Sequence, residues 1–224
     1  MESMAWERKA EDWRWLAALR GLARGFAYPD RSWMMTLLDG QWPALLAEVL
    51  EPLGVSVEGI LRAVEGLPAS EDEALRVLQI EYTYLFINAV PHLPAPPYAS
   101  AYVGQGWLMG EPAEAAMRAY LQAGLALAED YRDLPDHLSV GLEFLAWLGE
   151  QAADAAKAGD EPRSRTILAQ QQAFLRDQIR PWLPTFCRRV QEAARISFYR
   201  ELAGLAESLL CPKPALADQL AGGK

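Results

Sequence analysis

Few residues of this 224-residue chain have the chemistry to catalyse a reaction or to bind a metal. There are two histidines, His92 and His137, and two cysteines, Cys187 and Cys211. A structural zinc site needs four closely spaced ligands, and a nucleophilic triad needs a histidine together with a recognisable serine or cysteine motif. The sequence has no CxxC pair, no GxSxG motif, no Walker A motif and no complete glycine fingerprint for a dinucleotide. We therefore predict that the protein has no metal, no cofactor and no catalytic activity.

Asp136 and His137 are the one adjacent acid and histidine in the chain. An acid that orients a histidine base must lie beside its ring, whereas consecutive residues of a helix point about 100° apart. The simpler interpretation makes Asp136 the N-cap of a helix and His137 a solvated residue of its first turn. A nucleotide-hydrolysing enzyme that uses Asp136 and His137 stays open as an alternative.

The longest stretch without a charged residue runs from Tyr82 to Gly110. It is long enough to cross a bilayer, but it contains four prolines, which remove backbone donors and break helices. We therefore predict no membrane insertion. The stretch has two open interpretations, a rigid connector and a binding surface. Its large side chains favour the binding surface, because tyrosine and tryptophan combine an apolar face with a polar group. These side chains are Tyr98, Tyr102, Trp107 and Met109.

The elements around this stretch are predicted to be helices. Leucines and aromatic residues recur every three or four positions over most of the chain, and no segment alternates in the manner of a strand. Tyr82, Leu85 and Phe86 share such a stripe and are most simply core residues. A helix is expected over Glu111–Ala128, and another begins at Asp136. We predict an all-α bundle of about nine or ten helices, a single domain over residues 1–224, with a long Pro-rich loop near 87–110.

Composition and charge restrict the partners. Hydrophobic residues make up 51% of the chain, enough for a sizeable core, so intrinsic disorder is excluded. The 21 basic and 30 acidic residues give a formal net charge of −9, which disfavours nucleic acid and favours basic or apolar partners. The charged N-terminus lacks the apolar core of a signal peptide, and the two cysteines offer no disulfide framework. Both features predict a cytoplasmic protein.

Three motifs in a fixed order resemble a known family. The first is Tyr82-x-x-Leu85-Phe86 followed by Pro96-Pro97-Tyr98-x-Ser100-x-Tyr102. The second is Pro135-Asp136-His137-Leu138 followed by Leu142-Glu143-Phe144-Leu145, and the third is Pro181-Trp182-Leu183-Pro184-x-Phe186. Together they are similar to the hallmarks of the TorD/DmsD family of redox-enzyme maturation chaperones. Tyrosines stand at three positions where some members have tryptophan.

The resemblance implies an all-helical, non-enzymatic cytoplasmic chaperone. Its partners would be a molybdopterin oxidoreductase and the twin-arginine leader peptide of that client, whose export it delays until the molybdenum cofactor is inserted. Acidic side chains such as Glu81, Asp136 and Glu143 could pair with the two arginines of the leader. The residues that the resemblance places at the peptide-binding surface are Tyr82, Leu85, Phe86, Pro97, Tyr98, Ser100, Tyr102, Asp136 and His137.

Two further alternatives stay open beside the enzyme. One is a NarJ-type assembly chaperone for a nitrate-reductase-like subunit, whose client need not carry an exported leader. The other is a helical adaptor without a peptide groove. A monomer is the expected state, although the loop at 87–110 could act as the hinge of a domain-swapped dimer.

Overall fold

Helical spacing of apolar residues extends along most of the chain, and helices dominate the structure. The computed structural model describes residues 13–104, 109–128 and 133–212. Within these residues it contains ten α-helices and no β-strand, which confirms the predicted all-α class. The first five helices, α1 to α5, are Trp13–Phe26, Arg31–Leu38, Gln41–Leu50, Glu58–Glu65 and Glu71–Tyr82. The next five, α6 to α10, are Glu111–Gln122, Leu138–Lys157, Glu161–Phe174, Leu183–Ala193 and Ser197–Leu210.

Two helices are extended by a π-helical turn. Thr83–Ile87 continues α5, and Leu175–Ile179 continues α8. A π turn has one residue more per hydrogen-bonded ring than an α-helix, so it rotates the side chains that follow it. The first of these turns carries Leu85 and Phe86, both buried, and leads into the predicted proline-rich loop.

Helix α6 is shorter than the alanine-rich sequence predicts, because it ends at Gln122 and not at Ala128. Gly124 has φ of 80°, the left-handed conformation that glycine adopts without strain. The amides of Gly124 and Leu125 donate to the carbonyls of Leu121 and Tyr120, at 3.0 and 2.9 Å. This is the Schellman pattern that closes a helix C-terminus, so the glycine stops the helix.

Long-range contacts divide the chain into two compact units, each built from separate segments. Among the described residues, the first unit contains 13–23 and 97–183, and the second contains 24–96 and 184–212. That the whole chain acts as a single domain stays a prediction. None of the described helices is long and apolar enough to cross a membrane.

The first unit is organised by helices α7 and α8, which pack along each other. Gln171 on α8 is buried, and its side-chain amide donates to the carbonyl of Leu145 on α7 at 2.6 Å. Three aromatic rings complete this core: Phe144 lies 4.7 Å from Tyr120 and 4.9 Å from Phe174, both in edge-to-face contact. Such pairs stabilise the packing beyond the area that they bury.

The second unit has a core made largely of aromatic rings. The Phe86 ring lies 4.8 Å from Tyr82, 5.4 Å from Tyr199 and 5.9 Å from Phe186. Phe26 closes the group at 5.5 Å from Phe186. All five residues are buried, so α1, α5, α9 and α10 are joined through side chains that are distant in sequence.

Candidate functional site

The loop that follows the prolines is paired with the segment before α7. The amide of Leu138 donates to the carbonyl of Pro97 at 2.8 Å, and the amide of Ala99 donates to the carbonyl of Asp136 at 3.2 Å. These bonds form an antiparallel bridge between Tyr98 and His137. The second half of the first sequence motif therefore meets the second motif here, within the first unit, and the contacts bring Pro97, Tyr98, Ser100, Asp136 and His137 together.

The carboxylate of Asp136 holds this loop in place. Its Oδ2 accepts a hydrogen bond from the backbone amide of Ser100 at 2.8 Å, and Asp136 is buried. The prediction that Asp136 caps α7 was wrong, because the cap is the next residue. The remaining oxygen, Oδ1, and the Ser100 hydroxyl are buried without a hydrogen-bond partner in the described structure. The site thus contains an anionic acceptor that the loop does not fully use.

His137 is the N-cap of α7, and it is buried rather than solvated, which corrects both expectations for this residue. Its Nδ1 accepts from the backbone amide of Ser139 at 3.1 Å and lies 2.7 Å from the Ser139 hydroxyl. Because Nδ1 accepts this amide hydrogen, the neutral ring carries its proton on Nε2. Nε2 lies 3.9 Å from the Asp133 carboxylate. Sequence reasoning missed this arrangement, because the cap bond uses a backbone amide that any residue other than proline would supply.

Burial lowers the pKa of His137 below its ordinary value, although the Asp133 and Asp136 carboxylates act in the opposite direction. Protonation would also place a hydrogen on Nδ1 and break the cap bond to Ser139. The unfolded chain therefore binds this proton more readily than the folded chain does. The contribution of His137 to folding stability is therefore complete above the unfolded pKa of about 6.5, and it is lost as the pH falls from there through the lower folded-state pKa.

We expect acidification from neutral pH to about pH 5.5 to destabilise the protein through His137, with a slope of at most about 1.4 kcal/mol per pH unit for one proton. His137→Asn is the matched control, since asparagine caps helices well and does not titrate in this range. Urea unfolding of both proteins across this pH range measures the difference. Equal pH dependence of the two proteins would contradict the assignment.

Tyr98 and Tyr102 have partly exposed rings on the fixed loop. The Tyr98 ring packs edge-to-face on His137 at 5.3 Å, and the Tyr102 ring stacks on Trp182 at 5.4 Å. Trp182 is buried and donates from Nε1 to the carbonyl of Gln178 at 2.7 Å. Tryptophan from the third motif therefore supports tyrosine from the first motif, a contact that sequence reasoning did not predict. Each tyrosine has one face held by the protein and some surface open to a ligand.

Trp107 and Met109, also in the uncharged stretch, were predicted from the sequence to contribute to a binding surface. Met109 is exposed, and Trp107 lies outside the described residues. The exposure of Met109 leaves its side chain accessible to a ligand, and a contact with one stays a prediction.

Tyr82, Leu85 and Phe86 belong to the second unit and are buried there. The Tyr82 hydroxyl donates to the carbonyl of Phe26 at 3.1 Å. These contacts agree with the simpler interpretation of the three residues as core. Their contact with a peptide stays a prediction.

Two of the acids proposed for the leader arginines have partners within the chain. The Glu81 carboxylate binds Arg195, and the Glu143 carboxylate lies 3.6 Å from Nε of Arg20. Burial raises the pKa of Glu143 despite that arginine. Among the described residues no group of histidine, cysteine, aspartate or glutamate side chains could hold a metal ion. Of the three proposed acids, Asp136 is the one without an arginine partner among the described residues.

Comparisons with known proteins agree over most of the chain. The family model described as nitrate reductase delta subunit matches residues 43–188. The chaperone protein TorD of Psychrobacter sp. (strain PRwf-1) is 31% identical over 189 residues, which cover 82% of this chain and 79% of that protein. The TorD of Photobacterium profundum is 29% identical over 199 residues, 86% of each chain. A crystal structure from Archaeoglobus fulgidus, described as a putative redox enzyme maturation protein, superposes with a TM-score of 0.55 at 25% identity, covering 86% of this chain and 93% of that chain.

Proposed function

Because this chain belongs to the TorD family of redox-enzyme maturation chaperones, we propose that it binds the twin-arginine leader and the body of a molybdenum-cofactor oxidoreductase. In this role it works in the cytoplasm, assists insertion of the cofactor into the client, and delays export until insertion is complete. It performs no chemical turnover itself. One observation carries the proposal: the loop from Pro97 to Tyr102 is fixed on Asp136 and His137 while the rings of Tyr98 and Tyr102 stay partly exposed.

The chemistry of this loop suits a leader that is basic at its front and apolar in its middle. The rings of Tyr98 and Tyr102 cover the apolar part, and each large side chain that becomes fully buried contributes about 1.5–3 kcal/mol. The unused Oδ1 of Asp136 accepts from an arginine of the leader. Because Oδ1 is buried in the structure, this contact requires the loop to move when the peptide binds. The net charge of −9 attracts the basic front.

The client could also be a nitrate-reductase-like subunit without an exported leader. The description of the matching family model, nitrate reductase delta subunit, favours this second candidate. Both candidates share the chaperone role and differ in the peptide that the loop binds. A peptide from the N-terminus of such a subunit, compared with a twin-arginine leader, separates them.

Titration calorimetry with a synthetic twin-arginine leader of the client tests the proposal. We expect binding without cofactor or nucleotide, and weaker binding as salt rises, because the attraction between exposed charges is screened. A leader with both arginines replaced by glutamine is the control and should bind more weakly. The absence of both binding heat and a shift in melting temperature at saturating peptide would contradict leader binding.

Removing either exposed tyrosine of the loop should weaken leader binding more than it weakens the fold. We expect Tyr98→Ala and Tyr102→Ala each to raise the Kd about tenfold, which corresponds to about 1.4 kcal/mol of lost contact. Tyr28→Ala is a matched control, since Tyr28 is an exposed tyrosine of the other unit. If both loop variants melt much earlier yet keep full affinity, the two tyrosines serve the core and not the ligand.

A further inference from the structure

Arg195, in the link between α9 and α10, is held from two sides. Its backbone amide and its Nε donate to the two oxygens of the Glu81 carboxylate, at 2.6 and 2.9 Å. Its guanidinium lies over the ring of Tyr84, 3.7 Å from the ring centre. Stacking and hydrogen bonding together fix the plane of the guanidinium, which would otherwise sample many rotamers.

The outer edge of this fixed guanidinium is unused. Neither Nη1 nor Nη2 donates a hydrogen bond to the described residues, since the donors of Arg195 to Glu81 are its backbone amide and its Nε. The Arg195 side chain is 53% exposed, whereas the Glu81 side chain is 4% exposed. Burying a carboxylate costs free energy. Here the buried Glu81 carboxylate orients the exposed side chain of Arg195. The two Nη groups form the planar fork that binds carboxylates with two parallel hydrogen bonds.

Exposed apolar side chains lie on the same helix as Tyr84. Ile80 and Ile87, four residues before it and three after it, are 53% and 54% exposed. Ile80 precedes Tyr84, whose ring supports the arginine, by about one helical turn, and Ile87 is exposed on the same π turn as Tyr84. We call Ile80, Tyr84, Ile87 and Arg195 the Arg195 surface. Tyrosine and arginine are among the residues enriched at the energetic centres of interfaces.

The region around Arg195 has the opposite charge to the protein. Residues 188–201 contain four arginines and two glutamates, and with the Glu81 carboxylate bound to Arg195 the local formal charge is +1, in a chain of net charge −9. Arg200 donates from Nη2 to the carbonyl of Ala194 at 2.7 Å, which places a second guanidinium beside residue 195. This local positive charge favours an acidic partner and disfavours a basic leader.

We propose that the Arg195 surface binds an acidic, apolar protein segment, in which one aspartate or glutamate carboxylate pairs with the Arg195 fork and flanking large apolar side chains cover Ile80 and Ile87. The segment belongs to the body of the client and not to its leader. Placing it in the client rests on the proposed function, whereas recognition of the carboxylate does not.

Three short capped peptides that differ at one position test this recognition. Each has leucines flanking a central glutamate, glutamine or lysine, and binding is followed by the NMR signals of Arg195 Nε–H and of the Ile80 and Ile87 methyl groups. We expect the glutamate peptide to shift these signals saturably and to bind at least about tenfold more tightly than the glutamine peptide. The lysine peptide should bind most weakly. Equal affinity of the glutamate and glutamine peptides, or no shift at all, would overturn the proposal.

Variants separate a fixed fork from general positive charge. Arg195→Gln should abolish the preference for glutamate. Glu81→Gln makes the surface more positive, so general attraction predicts tighter binding of the glutamate peptide, whereas loss of the fixed fork predicts weaker binding. Ile87→Ser changes an exposed position where folding is not at risk, and it should weaken the binding of all three peptides to the same extent. Tighter binding by Glu81→Gln, or an unchanged preference in Arg195→Gln, would refute the proposed fork.

Two controls identify the occupant. Shifts of the same signals with protein concentration, in the absence of peptide, would show that a second copy of the chain covers the surface, and would overturn the proposal. The twin-arginine leader should leave these signals unchanged, and displacement of the glutamate peptide by the leader would also overturn it. Leader binding at the Tyr98 loop is measured separately by calorimetry, so each of the two sites can fail without the other.

Discussion

Replacing Phe86 by alanine is expected to lower the free energy of unfolding by about 3–5 kcal/mol, the range for deleting a large buried aromatic side chain. Phe86 is 1% exposed, and its ring contacts Tyr82, Phe186 and Tyr199. Its loss leaves a cavity among rings that cannot close around it without leaving their rotamers. Urea unfolding monitored by tryptophan fluorescence measures the effect.

The neighbouring Ile87 gives the matched control for this variant. Ile87 lies on the same π turn but is more than half exposed, so Ile87→Ala should change the free energy of unfolding by less than about 0.5 kcal/mol. Both proteins are also titrated with the leader. If Phe86→Ala keeps wild-type stability but loses leader affinity, Phe86 contacts the ligand and does not mainly stabilise the core.

Asp136 variants should have the largest effect on leader binding. Asp136→Ala removes the acceptor of the buried Ser100 amide, and an unsatisfied buried donor costs about 1–3 kcal/mol of stability. Asp136→Asn keeps an amide oxygen that can accept from Ser100 but removes the charge. We expect the asparagine variant to fold nearly as stably as wild type and to bind the leader with about 2–5 kcal/mol less affinity, the range for truncating a buried charge pair.

A double-mutant cycle separates the two roles of Asp136. Leader affinity is measured for wild type and Asp136→Asn, each with the native leader and with both arginines replaced by glutamine. Asp133→Asn is the matched control, because it removes a nearby but exposed carboxylate. A coupling energy of zero between Asp136 and the arginines would leave Asp136 with the single role of holding the loop.

Local patterns predicted the helices well where a helix depends on its own residues. Phe198, Leu202, Leu205 and Leu209 recur at the helical spacing of three or four positions, and the helix that carries them is observed at Ser197–Leu210 with all four buried. The error at the end of α6 was also local: the alanine-rich sequence continued past Gly124, whose left-handed backbone ended the helix earlier.

The roles of Asp136 and His137 were harder to predict. Either residue type can cap a helix, and aspartate is by far the commoner cap. The choice was made by the amide of Ser100, 36 residues earlier in the chain, which takes the Asp136 carboxylate and leaves the cap to His137. A partner this distant leaves no trace in the spacing around Asp136. The same holds for the pairing of Glu81 with Arg195, 114 residues apart.

Sequence by itself determined the all-helical class, the presence of prolines that interrupt the helices near 87–110, and the order of motifs by which the family is recognised. Helical periodicity and proline chemistry are properties of neighbouring residues, so they can be read without the fold. Tertiary structure alone decided which motif residues are core and which are surface. It placed Phe86 among aromatic rings of one unit and left Tyr98 and Tyr102 partly exposed in the other. The physical reason is that burial and hydrogen bonding depend on which distant segments meet, and the pattern within one segment does not encode its partner.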